Sequence, residues 1–200
     1  MAYPSVSAPY GLIPINLIGG QVFAGATRQI PIESGSSTAI FFGNVVKFNG
    51  AGYIENETNT SASTPVGVFL GCTYTDPTFG TTFRQYYPGN VVADDIQAYV
   101  QDDPDALFKV AVTAAGTSTI SFMTRTDVNR NSALVLTTGN TSTGNSYQSV
   151  SASTDTGSGL PVRIIDFVPE TAIAGFPGSY TEVIVKWNFG VHRYYNATGV

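Results

Sequence analysis

The sequence predicts a mainly β fold: an antiparallel β-barrel or sandwich with an extended N-terminal arm, an aromatic C-terminal tail and at most a short helix. Three features predict it. Short runs rich in Val, Ile, Phe, Tyr and Thr recur along the chain, Gly, Pro, Asn and Asp punctuate them, and a single stretch, Phe122 to Asn129, reads as a helix.

Residues 1–26 form the arm. Pro4, Pro9 and Pro14 fix φ and remove amide donors, and Gly11, Gly19, Gly20 and Gly25 fall around them, so the segment is extended and irregular. It is nonetheless apolar. Leu12, Ile13, Ile15, Leu17, Ile18, Val22 and Phe23 would be costly to leave in water, at roughly 25 cal/mol per Å². Such an arm either lies along its own domain or reaches onto a neighbour.

Residues 27–187 form the β domain. Gln29 to Ile32 is a short strand, with Pro31 placing it at an edge or a strand end. Ala39 to Phe42 leads through Gly43-Asn44 into Val45 to Phe48, and Asn49-Gly50 supplies a tight hairpin turn into Gly52 to Glu55. Asn56 to Thr64 is a polar loop, and Pro65 to Tyr74 reads as a buried strand. After the turn Asp76 to Gly80 come the strands Thr82 to Tyr87, Ile96 to Val100 and Ala106 to Val112. Thr113 to Leu160 is the most polar region, either a second small lobe or a set of long loops; it holds the expected helix and a strand, Ala133 to Leu136. Val162 to Val168 and Tyr180 to Trp187 are the late strands. The tail, residues 188–200, carries Phe189, Tyr194 and Tyr195.

Composition narrows the function. Charged residues are only 12% of the chain, about half the usual share, so solubility rests on Ser, Thr, Asn, Gln and Gly. The net charge of −5 and the scattered basic residues argue against nucleic acid as a partner. No apolar run approaches the ~18 residues of a membrane span, and no secretory signal is visible at the N-terminus. Asn56, Asn140 and Asn196 begin glycosylation sequons by chance in a chain so rich in Asn and Thr.

Few residues offer chemistry. The lone Cys72 lies in an apolar strand and reads as a buried thiol, so pairing with His192, the single histidine, is disfavoured. His192 reads instead as a polar tail residue able to make one contact across an interface. No Gly-x-Ser-x-Gly elbow presents a serine, and no phosphate loop or cofactor site is expected. Asp94, Asp95, Asp102, Asp103 and Asp105 bracket one strand; they read as solvated turns, with a cation site or a glycosidase pair as the sharper alternatives.

Several stretches carry a resemblance: Pro9 to Gly20, Phe42-Gly43-Asn44-Val45-Val46-Lys47, Pro65 to Cys72 and Tyr180 to Trp187. Together they resemble small virion proteins of tailed bacteriophages, many from podovirus-like marine or environmental phages. The Gly-Asn-Val-Val layout followed by Val-Gly-Val also looks like that of β-barrel head-decoration proteins. The resemblance implies a decoration, or cement, protein. It would be made in the host cytoplasm, coat the virion exterior, and bridge subunits of the major capsid protein beside neighbouring copies of itself. Capsid or subunit contact is expected from Tyr3, Tyr10, Leu12, Ile13, Ile15, Leu17, Ile18, Phe23, Trp187, Phe189, Tyr194 and Tyr195. Removing the first twenty or so residues is expected to abolish that contact and leave the β domain folded. The alternatives are a tail, connector or host-surface-binding virion protein, with a sugar-binding face around Tyr86-Tyr87, and more remotely a carbohydrate-active enzyme using an Asp pair.

Overall fold

A computed structural model describes residues 6–23, 25–168, 171 and 180–199. The expectation placed on Tyr3 lies outside the described residues.

Two sheets organise the chain. The first contains β1 (Ile13–Leu17), β8 (Ala106–Thr113), β9 (Asn131–Val135), β10 (Ser149–Asp155), β11 (Val162–Phe167) and β12 (Glu182–Trp187). The strand path runs β8-β10-β9-β11-β12 and returns to β8, which closes a small barrel, with β1 added alongside β8. Its pairings are antiparallel except for the short β8–β10 contact. The second sheet, in the order β2-β7-β5-β3-β4, contains β2 (Arg28–Pro31), β3 (Val45–Phe48), β4 (Ile54–Asn56), β5 (Gly67–Asp76) and β7 (Gln97–Gln101). A further strand, β6 (Gly80–Arg84), pairs with β5. The mainly β class and the barrel expected from the sequence are thus the observed architecture.

Strands β3 and β5 form the wall between two cores. Side chains alternate across a strand, so Val45 and Val68 enter the core inside the barrel while Val46 and Phe69 enter the core of the second sheet. Burial on both faces explains why these strands read as continuous apolar runs rather than as alternation. The polar region 113–160 is no separate lobe: β9 and β10 are barrel staves.

Local corrections follow from hydrogen bonding. The hairpin after β3 is real, but its left-handed residue is Gly52 (φ 85°), not the Asn49-Gly50 pair. Asn49 N–H donates to the Tyr53 carbonyl at 2.8 Å, enclosing a three-residue loop that ends on a left-handed glycine. The helix expected over Phe122 to Asn129 is a single 3-10 turn, Arg125–Asp127. Asp127 Oδ2 accepts from the Thr124 amide at 2.8 Å and its hydroxyl at 3.2 Å, local bonds that compete with a helix. The strand expected over Ala39 to Phe42 shortens to isolated bridges, Ile40 to Tyr87 and Phe42 to Asn145, and the one expected over Thr82 to Tyr87 ends at Arg84.

The loop after β4 is organised by a buried carboxylate. Glu57 accepts from the amides of Thr58 at 2.8 Å, Asn59 at 2.9 Å and Thr64 at 2.9 Å, with Lys47 Nζ 3.7 Å away. Replacing Glu57 by Ala orphans those donors and is expected to cost about 2–4 kcal/mol, read as a lower denaturant midpoint at unchanged slope.

Candidate functional site

The turn after β1 and the tail after β12 lie at one end of the barrel, and the N-terminal segment reaches it by crossing the core. Gly11 (φ 84°) lies against Gly43 (φ 88°), and the Leu12 amide donates to the Gly43 carbonyl at 2.9 Å. Leu12 is 0% exposed within the barrel core, after which β1 pairs with β8. The chain then reverses, with Leu17 N–H donating to the Gln21 carbonyl and Val22 bridging back to Asn16. From Gly11 onward, therefore, the expected arm is a strand of its own domain. The expectation that the first twenty residues are dispensable for folding is overturned, because removing them would strip Leu12 from the core and β1 from β8.

The tail returns to the same place. His192 is fully buried, not the surface contact expected of it. Its Nε2 lies 2.7 Å from the Val66 carbonyl and its Nδ1 accepts from the Tyr194 amide at 3.3 Å. Nε2 is therefore the protonated nitrogen of a neutral ring, and burial lowers its pKa to about 4. The ring anchors a 3-10 turn, Arg193–Tyr195, beside Trp187. Tyr194 donates to Asp102 Oδ2 at 2.6 Å, and Arg28 Nε reaches the same oxygen at 2.9 Å. Burial, then the bond to that carboxylate, pushes the Tyr194 hydroxyl up. Ile18 N–H donates to the Asp105 carbonyl at 3.1 Å, so the β7–β8 connection ties the turn after β1 to the tail.

Two of the clefts among the described residues lie there. One, of about 390 Å³, lies among Leu17, Val22, Phe23, Arg28 and Asp102. The other, of about 510 Å³, lies among Ile18, Asp105, Arg163, Lys186, Phe189 and Tyr195. Val22 is 77% exposed, Ile18 52% and Phe189 82%. Phe189 packs on Tyr195 with ring centroids 5.7 Å apart.

The structure therefore groups Leu17, Ile18, Phe23, Phe189, Tyr194 and Tyr195 of the expected contact residues. It withdraws Leu12 and Trp187, which are core residues at 0% and 3% exposure and have no surface to offer. Ile13 and Ile15 are half-buried on β1. Tyr10 is also withdrawn from that group: its hydroxyl donates to the buried Glu182, which Lys109 approaches at 3.2 Å. Burial, then that hydrogen bond, pushes the Tyr10 hydroxyl up. Val22, within the arm expected to make contact, is exposed on the same surface. Arg163 completes it and was missed, having given only the weak signal of a cation on the outward position of a strand.

Of the remaining candidates for chemistry, Asp95, Asp103 and Asp105 have structural partners. Cys72 is buried in the second core, which pushes its thiol up to about 12. Asp95 holds the Thr75 hydroxyl at 2.6 Å, Asp103 the Asp105 amide at 2.8 Å, and Asp105 pairs with Lys186 at 2.8 Å. Asp94 is exposed. Among the described residues no three His, Cys, Asp or Glu side chains group to hold a metal ion, and no helix is long and apolar enough to cross a membrane. The sugar-binding face imagined at Tyr86-Tyr87 is lost, because Tyr87 is 0% exposed and Tyr86 stacks on Phe41 at 5.4 Å.

The fold and the site define a class: a barrel-containing β protein with an apolar, aromatic end. No protein-family model matches the chain, and no curated protein or solved structure matches it either.

Proposed function

We propose that this chain is a non-enzymatic structural protein of a tailed-phage virion, binding the outer capsid surface and bridging major capsid subunits. The observation that carries the reading is that the turn after β1 and the tail after β12 each expose apolar side chains, Ile18, Val22 and Phe189, around neighbouring clefts at one end of the barrel. Leaving such side chains in water forgoes about 25 cal/mol per Å², which a protein surface would recover. Aromatic rings provide contact area with few rotamers to freeze, and a lattice multiplies the modest contribution of each copy. The neutral Ser, Thr and Asn loops elsewhere suit a face that stays in solvent.

Quantitative mass spectrometry of purified virions tests this. A copy number near that of the major capsid protein, or a simple fraction of it, is the expected result; about a hundredth would assign the chain to the tail or connector. Absence from virions would overturn the reading. Replacing both Phe189 and Tyr195 by Ala is expected to lower occupancy on particles about tenfold or more. Stability should move little, since Phe189 is exposed.

A further inference from the structure

We infer that the larger cleft receives a carboxylate-bearing segment of the partner protein, an Asp or Glu side chain beside an apolar residue, with Arg163 as its anchor. The inference rests on the reading of this end as the particle-facing surface, and it names the chemistry of the partner.

Among the described residues, Arg28, Lys47, Lys109, Arg125 and Lys186 each lie within salt-bridge distance of a carboxylate, whereas Arg84, Arg130, Arg163 and Arg193 do not; of these four, Arg163 lines the cleft. Arg163 is held by neutral amides instead: its Nε donates to Asn131 Oδ1 at 3.0 Å and its Nη2 to Asn188 Oδ1 at 3.1 Å. Both amides are themselves fixed. Asn131 Nδ2 donates to the Gly157 carbonyl at 2.9 Å, and Asn188 Nδ2 to the carbonyls of Ser158 at 3.0 Å and Leu160 at 3.1 Å. With their nitrogens committed, the two amide oxygens must face the guanidinium. Asn131 and Asn188 are buried, at 2% and 4% exposure, so the arrangement is rigid.

The result is a half-buried guanidinium that lines a cleft, is oriented in advance, and has no carboxylate partner among the described residues. Its Nη1 protons make no hydrogen bond there, and a fork of that shape matches a carboxylate. Charge within the cleft gives the stoichiometry. Lys186 and Asp105 neutralise each other at 2.8 Å, so the cleft keeps the single positive charge of Arg163, which one carboxylate balances. This local charge opposes the chain's net −5. The walls choose between carriers of a carboxylate. Ile18 and Ile165 beside Phe189 suit an aliphatic or aromatic neighbour on a polypeptide better than the hydroxylated faces of an acidic saccharide.

The test uses full-length protein and particles of the encoding phage made without this chain. Wild-type protein is titrated onto the particles, followed by Arg163→Gln and Arg163→Lys. The expected result is a loss of affinity of about tenfold to a hundredfold for Arg163→Gln, with Arg163→Lys between the two. A photocrosslinker at Phe189 should then capture a particle-protein segment that contains Asp or Glu. Equal binding of a folded Arg163→Gln protein, or capture of a saccharide or of a segment without a carboxylate, would overturn the inference while leaving particle binding intact. Failure of the wild type to bind would instead remove the proposed function itself, and this inference with it. Should Arg163→Gln not fold, Phe189→Glu at the exposed rim supplies the same charge test: it should abolish binding, and unchanged binding overturns the inference.

Discussion

Gly11→Ala is expected to destabilise the protein by about 2–5 kcal/mol and lower its Tm by roughly 10 °C, measured by thermal and denaturant unfolding. Two penalties combine at this residue. Its φ of +84° lies in the left-handed region, where a side chain costs about 1–2 kcal/mol. A Cβ there would also stand 2.6 Å from the Gly43 carbonyl oxygen and 2.7 Å from Ser146 Cβ. The first contact is with backbone and cannot rotate away. Relief would require the segments of Gly11 and Gly43 to separate, breaking the 2.9 Å bond from the Leu12 amide to Gly43 and the 3.1 Å bond from the Gly11 amide to Gln148. Gly20→Ala is the control, because Gly20 has a φ of +78° with nothing within 4 Å of the added carbon. It should cost only the conformational penalty, about 1 kcal/mol. Equal losses at the two glycines would show that the crossing of the N-terminal segment is not tightly packed.

The second large effect is acid sensitivity centred on His192. An unfolded chain binds a proton at this imidazole near pH 6.5, whereas burial holds the folded ring down to about 4. The unfolded state therefore takes up the proton first as pH falls. The stability contributed by the neutral ring is complete above about pH 6.5 and is lost progressively between 6.5 and 4, by on the order of 3 kcal/mol. Protonation would also remove the Nδ1 acceptor of the Tyr194 amide and so loosen the turn that carries Tyr195. Asp102 and Asp103 favour the charged ring and Lys186 opposes it, but desolvation outweighs them. Denaturant unfolding of wild type and of His192→Gln should be compared at pH 7, 5.5 and 4.5. Glutamine can still donate to the Val66 carbonyl but does not titrate. The variant should be less stable at pH 7 and should approach the wild type as the pH falls. Carboxylates such as Asp166, held low mainly by the Phe167 amide, act equally in both proteins and cancel in the difference. Parallel pH curves would rule His192 out as the source of the acid sensitivity.

These two sites also show where sequence reading stops. Gly11 stood in a Pro- and Gly-rich stretch and read as part of an irregular arm, because nothing local reveals that another glycine, 32 positions along the chain, passes within contact distance. His192 read as a polar residue in a tail, since burial of an imidazole depends on what folds over it. The helix expected over Phe122 to Asn129 failed for a reason the sequence did carry: Thr124 and Asp127 satisfy the local backbone in a turn and leave Met123 to the barrel core.

The amino-acid sequence by itself determined the β class, the positions of most strands, the burial of the strand within Pro65 to Tyr74, and the apolar character of both chain ends. Those properties are local: side-chain shape, a period of two, and the backbone demands of Gly and Pro act over a few residues. Only the tertiary structure decided which apolar residues at the ends face inward. Leu12 and Trp187 fill the core while Ile18 and Phe189, in the same segments, remain exposed. It also brought the turn after β1 beside the tail and set Arg163 between two fixed amides. Each of these depends on barrel closure and on strand register between distant segments, and register decides the face that every side chain along a strand presents.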